Sequence, residues 1–445
     1  LLAPREELRG LPAAHLEALR ERRVTVEEAA SLTASALEAA LGEADLIIDA
    51  IFGTGFRGPA QDLPARVIEA ANASGAPILA VDLPSGVDAA SGRADPPCIR
   101  AAATVAIALP KVGVVQYPAA AHAGRVYVAD IGIPDALVRE AAIPTSLATA
   151  RWVDRTLPRR PANSHKGRFG RIGIVAGARG FAGAAVLAAR GAIRAGAGLV
   201  TAGLPASLVA MLPTALPEAM TRTLPETAAG TLSEEAYQAV IELAAASDVV
   251  AVGPGLSTHP EVVALLRRVL PRIERPIVLD ADGLNAFQGA ARLLADLPGP
   301  LVITPHPGEM ARLLGRRTAE VESDRLQTAR EAAHLVRGIV ILKGARSVVA
   351  APDGGACIIP TGTPAMATGG MGDVLTGAVA ALLGAGLPPF EAAACAAYLH
   401  GLAGNLTAAA RGEFGLLAHE VADGIPRALA DVRSGRVDEG ISAVP

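Results

Sequence analysis

The amino-acid sequence predicts an α/β protein of two domains built on largely parallel sheets. Three observations carry that expectation. The chain has 445 residues, which favours two cores over one. Short apolar runs rich in Val, Ile and Leu alternate with longer Ala-rich stretches, the pattern of strands joined by helical crossovers. A Pro/Arg-rich break, Leu157-Pro158-Arg159-Arg160-Pro161, separates two such blocks.

Strands are predicted over 45–52, 77–82, 104–109, 171–176, 248–252, 276–280, 301–304 and 338–343. Helices are predicted over 182–195, 261–269 and 320–336. Residues 1–44 read as helix-rich, with no opening βα unit. Domains are expected over 1–145 and 158–445.

Composition excludes several classes. The chain is 51% hydrophobic and 19% charged, with 40 basic against 44 acidic residues and a net charge of −4. A nucleic-acid protein usually carries a basic excess, so no nucleic-acid partner is expected. The uncharged stretch 374–390 is broken by Gly384, Gly386, Pro388 and Pro389 and reads as a buried helix and a loop, not a membrane span. Leu1 to Glu7 carries charge with no apolar run behind it, so no signal peptide is read. Cys98, Cys357 and Cys395 form no CxxC pair, and buried thiols in a cytoplasmic setting are expected. Lys111, Lys166 and Lys343 are the chain's lysines. Where Arg has replaced Lys almost everywhere, a remaining Lys is a candidate for a site that needs a compact ammonium.

The sharpest motif runs from Thr361 to Gly377: TGTPAMATGGMGDVLTG. Gly369, Gly370 and Gly372 precede an apolar helical run. Such a turn aims backbone N–H groups and the positive end of a helix at an anion. Asp373 sits beside that anion hole, where a carboxylate can accept a hydroxyl proton during phosphoryl transfer. An N-cap aspartate on a glycine turn is the plain structural alternative.

Four further segments end predicted strands, where ligands of open α/β sheets bind. They are Asp280-Ala281-Asp282-Gly283-Leu284-Asn285, Thr304-Pro305-His306-Pro307-Gly308-Glu309-Met310-Ala311-Arg312, Lys343-Gly344-Ala345-Arg346-Ser347 and Gly253-Pro254-Gly255. Carboxylates, a histidine, an arginine and a lysine would thus gather at one sheet edge.

Together these segments resemble the ADP-dependent NAD(P)H-hydrate dehydratases, a ribokinase-like family, over about residues 158–429. The resemblance implies a three-layer α/β/α domain. It implies that ADP or ATP, with Mg2+, phosphorylates the hydroxyl of the S epimer of a hydrated nicotinamide. Loss of phosphate then restores NADH or NADPH. It makes Asp373 the catalytic residue. It assigns Lys343, Gly344, Ala345, Arg346, Ser347, Thr363, Thr368, Gly369, Gly370, Met371 and Gly372 to ADP. It assigns Ala184, Gly255, His306, Pro307, Gly308, Glu309, Met310, Ala311, Arg312 and Asp373 to the hydrate. Thr363, Ala365 and Ser257 stand where the family commonly shows Asn, Gly and Gly.

In the first block, Gly53-Thr54-Gly55-Phe56-Arg57-Gly58 follows a strand as a formal GxGxxG. Pro59, Gln61 and Asp62 delay the helix, so dinucleotide geometry fits poorly. Asp82-Leu83-Pro84-Ser85 ends a second strand and Lys111 a third. These pieces resemble the NAD(P)H-hydrate epimerases over about residues 45–134, implying a partial Rossmann-like domain. The resemblance assigns a potassium ion to Asp49 and Ser85, and a hydrate to Gly53, Thr54, Gly55, Phe56, Arg57, Gly58, Pro59 and Asp82. The family's NNGGDG-type loop does not occur before Asp45. A truncated bifunctional enzyme and a degenerate epimerase half are both expectations of that absence, and the first is preferred. A kinase of a hydroxymethyl heterocycle is one alternative, and a nucleotide-binding protein with a degenerate epimerase domain is another. A small-molecule substrate and self-association into a homo-oligomer complete the expectations.

Overall fold

The computed structural model describes residues 1–2, 4–437 and 441–444. The chain divides into two compact units. One comprises Leu1–Ala141 and the terminal strand Ile441–Val444, and the other comprises the chain between them. This corrects both expected boundaries. The terminal strand pairs in parallel with Arg125–Ala129 of the first unit. The strand Thr145–Leu147 pairs with Ala356–Ile358 of the second. Both are short edge strands whose partners are remote in sequence, so local pattern could not allot them.

In the first unit, β1 (Ile47–Asp49), β2 (Ile78–Val81), β3 (Ala103–Ile107) and β4 (Arg125–Ala129) lie in that order, followed by the terminal strand, all in parallel. Helices Leu11–Glu21 and Ala34–Gly42 precede the sheet, as the helix-rich reading of residues 1–44 expects. The helix Asp62–Ala73 packs Ile68 and Ala71 against Ile78 and Ile99. The other face of the sheet presents Ile48, Val81 and Ile107, all exposed.

The second unit holds, among the described residues, a ten-stranded sheet. Its strands are β5 (Thr145–Leu147), β6 (Arg171–Val175), β7 (Leu199–Pro205), β8 (Met220–Leu224), β9 (Val249–Val252), β10 (Ile277–Leu279), β11 (Leu301–Ile303), β12 (Ile339–Leu342), β13 (Val348–Ala350) and β14 (Ala356–Ile358). The order is β5-β14-β13-β12-β11-β10-β9-β6-β7-β8. Only the β12–β13 and β13–β14 pairs are antiparallel. Strands β9 to β12 are buried at every residue, as a sheet covered on both faces requires.

Helices form the two outer layers. On one face Ile172 and Ile174 of β6 pack into a cluster with Ala188 and Val374. On the other, Gly173 lies against Leu243 and Ser247. This is the three-layer arrangement the resemblance implies. The expected helix over 320–336 is two helices, Thr318–Ser323 and Arg325–Val336. Asp324 breaks it: its backbone leaves the helical region and its Oδ1 accepts the Gln327 N–H at 3.0 Å, an N-cap in the middle of the stretch.

The Ala-rich composition has a packing cause. Helices Ala182–Ala195 and Met371–Gly384 cross backbone to backbone. A Cβ on Gly377 would overlap the Ala188 carbonyl oxygen, and one on Gly191 would overlap that of Val374. Close crossing fixes where the Gly369–Gly372 turn stands above the sheet. Gly377→Ala is therefore expected to cost about 1–3 kcal/mol of stability. Gly183→Ala, whose added methyl meets open space, should be neutral or slightly stabilising. Urea denaturation of both variants checks this, and equal effects would refute the crossing as the cause.

Candidate active site

The helix Met371–Gly384 begins without a side-chain cap. Gly370 precedes it in the left-handed region, at φ 87°, where glycine is free of the Cβ penalty. Its first N–H groups therefore have no intrahelical acceptor and face an open space: a Cβ on Gly369 would meet nothing within 4 Å. Asp373 lies in this first turn.

Lys343, at the end of β12, reaches under the turn. Its Nζ lies 2.7 Å from Asp280 Oδ1 and 3.6 Å from Glu309 Oε2. The Thr376 hydroxyl donates to Asp280 Oδ2 at 2.9 Å. A Cβ on Gly372 would stand 3.0 Å from Lys343 Nζ, so glycine there keeps the ammonium accessible from the turn. Asp280 is 1% exposed. Burial is the largest influence and opposes its ionisation, but the Lys343 charge together with the hydrogen bonds the carboxylate accepts holds its carboxyl below the usual range. The same pairing holds Lys343 protonated against its own burial.

Asp373 behaves in the opposite way. Burial raises its pKa to about 7, and the negative charges of Asp280 and Glu309 add to the rise while Lys343 opposes it. A carboxyl poised there can take a proton at neutral pH and hold it.

A second group of residues lines the same sheet edge. His306 caps the helix Pro307–Leu314, accepting the Gly308 N–H at Nδ1, while Glu309 Oε2 accepts the His306 N–H at 2.8 Å. Arg312 Nε donates to Asn285 Oδ1 at 3.1 Å, and Asn285 Nδ2 donates to Asp282 Oδ1 at 3.1 Å. Asp282 Oδ2 accepts the Ser257 N–H at 2.8 Å. Gly255, at φ 63°, lies against Ala184 and Phe181.

Most of the expected residues thus converge on one crevice. Arg346, which donates to the Pro360 carbonyl at 2.9 Å, ties the 343–347 turn to the segment that leads into Thr363. Three expected contacts are narrower than foreseen. Met310 and Ala311 are buried: the amphipathic helix turns both towards the core, so only the backbone of that turn can meet a ligand. The Thr363 hydroxyl is engaged locally, accepting the Ala365 N–H at 3.4 Å. Thr376 and Arg325 were not foreseen. Thr376 lies 96 residues from its partner Asp280, and Arg325 sits in an ordinary-looking helix.

Of the other lysines, Lys111 pairs with Asp82 and Lys166 is exposed on a 3-10 turn. The three cysteines are free and buried.

The first unit brings its expected metal ligands together. Asp49 and Ser85 are buried, and Ser85 Oγ donates to Asp49 Oδ1 at 2.6 Å. The Ser85 N–H donates to Asp49 Oδ2 at 2.8 Å and the Phe52 N–H to Ser85 Oγ at 2.9 Å. Gly53 to Pro59 form an exposed turn in which Phe52 stacks on Phe56 at 4.2 Å and Arg57 pairs with Asp88 at 3.3 Å. The next helix starts at Asp62, so this turn does not cradle a phosphate at a helix N-terminus, as its delayed helix signal anticipated.

The NAD(P)H-hydrate dehydratase family model matches residues 172–427, and the model for the YjeF-related protein N-terminus matches residues 1–113. The second match takes in residues 1–44, which the motifs had left outside. A bifunctional NAD(P)H-hydrate repair enzyme of Moorella thermoacetica is 48% identical over 393 residues, covering 88% of this chain and 74% of the relative. Its counterpart in Escherichia coli K12 is 37% identical over 402 residues, covering 90% and 75%. An ADP/ATP-dependent NAD(P)H-hydrate dehydratase of Bacillus subtilis, co-crystallised with ATP/Mg2+, superposes with a TM-score of 0.56 at 33% identity, covering 65% of this chain and 100% of that one. The crevice holding Asp373, Lys343 and Asp280 lies within the first family match, and the chain belongs to the bifunctional NAD(P)H-hydrate repair enzymes, with a dehydratase unit and a YjeF-related unit.

Proposed function

We propose that the second unit carries out the ADP-dependent dehydration of the S epimer of NAD(P)H hydrate to NAD(P)H, releasing AMP and phosphate. The observation that carries this reading is Asp373, whose carboxyl sits near neutrality beside an uncapped helix N-terminus. Asp373 accepts the proton of the ring hydroxyl as that oxygen attacks the terminal phosphorus of ADP and the bond to AMP breaks. The N–H groups of the turn face the charge on the transferring phosphoryl group. Lys343 adds a compact positive charge at the same point. The ring then expels phosphate with the C–O electron pair and loses a proton, restoring the double bond. Gly255, the His306–Arg312 turn and the Asp282–Asn285–Arg312 chain form the wall for the hydrate.

Mg2+ enters this reading through the nucleotide. Among the described residues no three His, Cys, Asp or Glu side chains cluster as a metal site, and both oxygens of Asp280 are engaged. That fits an ion carried chiefly by phosphates and water, and when bound it neutralises phosphate charge.

For the first unit, we propose epimerisation of the R hydrate to the S form on the exposed Gly53–Pro59 turn beside Asp82. Asp49 and Ser85 are hard oxygen ligands suited to potassium. Two side chains already engaged with each other do not complete a coordination shell. The buried free thiols are in keeping with a cytoplasmic setting.

Purified protein given hydrated NADH and ADP is expected to restore the near-ultraviolet absorbance of the reduced nicotinamide, with one AMP formed per NADH. No recovery, together with phosphorylation of a hydroxymethylpyrimidine, would assign the site to a kinase instead. Asp373→Asn should abolish turnover and leave ADP binding within a few-fold by calorimetry; near-normal turnover removes Asp373 from the mechanism.

Two pH effects follow from the raised carboxyl. The base must be ionised, so kcat/KM for the hydrate is expected to fall as pH drops through about 7. Stability runs the other way. The folded-state value lies above the ordinary 3.8, so the contribution to stability is full below that range and is lost as pH rises through about 7. Asp373→Asn, which cannot ionise, should therefore melt at a higher temperature than the parent in mildly alkaline buffer. An unchanged or lower melting temperature there contradicts the burial cost.

A further inference from the structure

Beneath the 343–347 turn lies Arg325, a side chain with no part in the chemistry above. It is 6% exposed and begins the helix Arg325–Val336. Its Nη1 donates to the Ala345 carbonyl at 2.6 Å, and its Nη2 donates to the carbonyls of Leu342 and Lys343 at 3.1 Å each. Its Nε is buried without a partner among the described residues. Among those residues no carboxylate lies within ion-pair distance of it. Burial lowers its pKa to about 10, so it remains charged at neutral pH.

An unpaired buried charge is costly, and an apolar side chain would fill the same space at less cost. The cation is held by three carbonyl oxygens of one short turn. In a trans peptide the C=O and the following N–H point in opposite directions. Drawing the Lys343 carbonyl towards Arg325 therefore turns the Gly344 N–H away from it, where it donates to Ser347 Oγ at 3.3 Å and closes the turn on itself. Gly344, at φ 145°, makes this possible: a Cβ there would stand 2.7 Å from Arg325 Nη2. The turn is thus held from behind by a buried positive charge, and that charge favours an anion in front of it.

We infer that Arg325 is a positioning residue for the diphosphate of the nucleoside diphosphate. It shapes the Lys343–Ser347 turn from behind and supplies buried positive charge without touching the ligand. This inference rests on the reading of ADP as co-substrate.

The test uses Arg325→Met and Arg325→Lys in the full chain, with ADP titrated by calorimetry and both KM values measured. Arg325→Met is expected to raise the Kd and KM for ADP about tenfold, with the KM for the hydrate changed less than about twofold and the pH midpoint of the rate unmoved. Arg325→Lys keeps the charge and should restore part of the loss. A purely structural role would lower the active fraction, and so the apparent kcat, at unchanged KM for ADP. That result, or an equal rise in both KM values, overturns the inference. If Arg325→Met does not fold, Arg325→Gln, which also removes the charge, takes its place, and parent-like ADP affinity together with an unmoved KM in it overturns the inference. Parent protein that binds ADP but never restores NADH counts against the dehydratase reading and leaves the calorimetric comparison standing.

Discussion

An ion pair between Lys343 Nζ and Asp280 Oδ1, 2.7 Å apart with the aspartate 1% exposed, joins the ends of β12 and β10 beneath the glycine turn that opens the Met371–Gly384 helix. Pairs this deep are weak sources of stability, because desolvation consumes much of their Coulomb energy. Their effect is on neighbouring groups. Asp280 keeps Lys343 charged in a dry place, and its own negative charge helps lift Asp373 towards neutrality. Removing Lys343 would leave Asp280 a buried charge without its counter-ion, so the aspartate is fixed by the lysine as much as by a ligand. Thr376 completes the arrangement by satisfying the second oxygen of Asp280 from the helix that begins at Met371.

That helix is placed by glycines far from any ligand. The crossing at Gly191 and Gly377 lets two backbones approach to a separation that no side chain allows, and small interface residues set the height of the turn above the sheet. A bulkier crossing would lift Gly372 from Lys343 and open the pair to water. Packing at the middle of one helix therefore governs electrostatics at its end.

Much of this was legible in the sequence, and unevenly so. Strands β9 to β12 are buried on both faces, so they read as unbroken apolar runs. β5, β13 and β14 span three residues each and exist because of partners elsewhere, which no local pattern reveals. Asp373, Lys343 and Asp280 were legible because each ends a strand or opens a helix in a motif with glycines. Arg325 was not, because a single arginine in a helix looks like a solvated face; only the fold shows the three carbonyls it meets. The side chains of Met310 and Ala311 face the core for the converse reason. A motif marks a stretch of chain as close to a ligand, but helical periodicity decides which side chains face it.

The scarcity of lysine gains a physical meaning at this site. Lys343 stands between two carboxylates, Asp280 and Glu309, with the backbone of Gly372 directly above. A guanidinium is planar and binds best to one carboxylate through two parallel bonds. It would fill the space that Gly372 leaves and direct its donors in a plane, away from one acid and from the turn. An ammonium is a compact point charge with donors in three directions, so it can face both acids and still project towards an incoming phosphate. Arriving phosphates bring negative charge that would push Asp373 still higher and keep it protonated. On the proposed reaction, the lysine charge and the helix N-terminus would counter that effect when Asp373 must be free to take a proton. In a chain that otherwise prefers arginine, lysine at this position is what the geometry of two acids, one turn and one anion calls for.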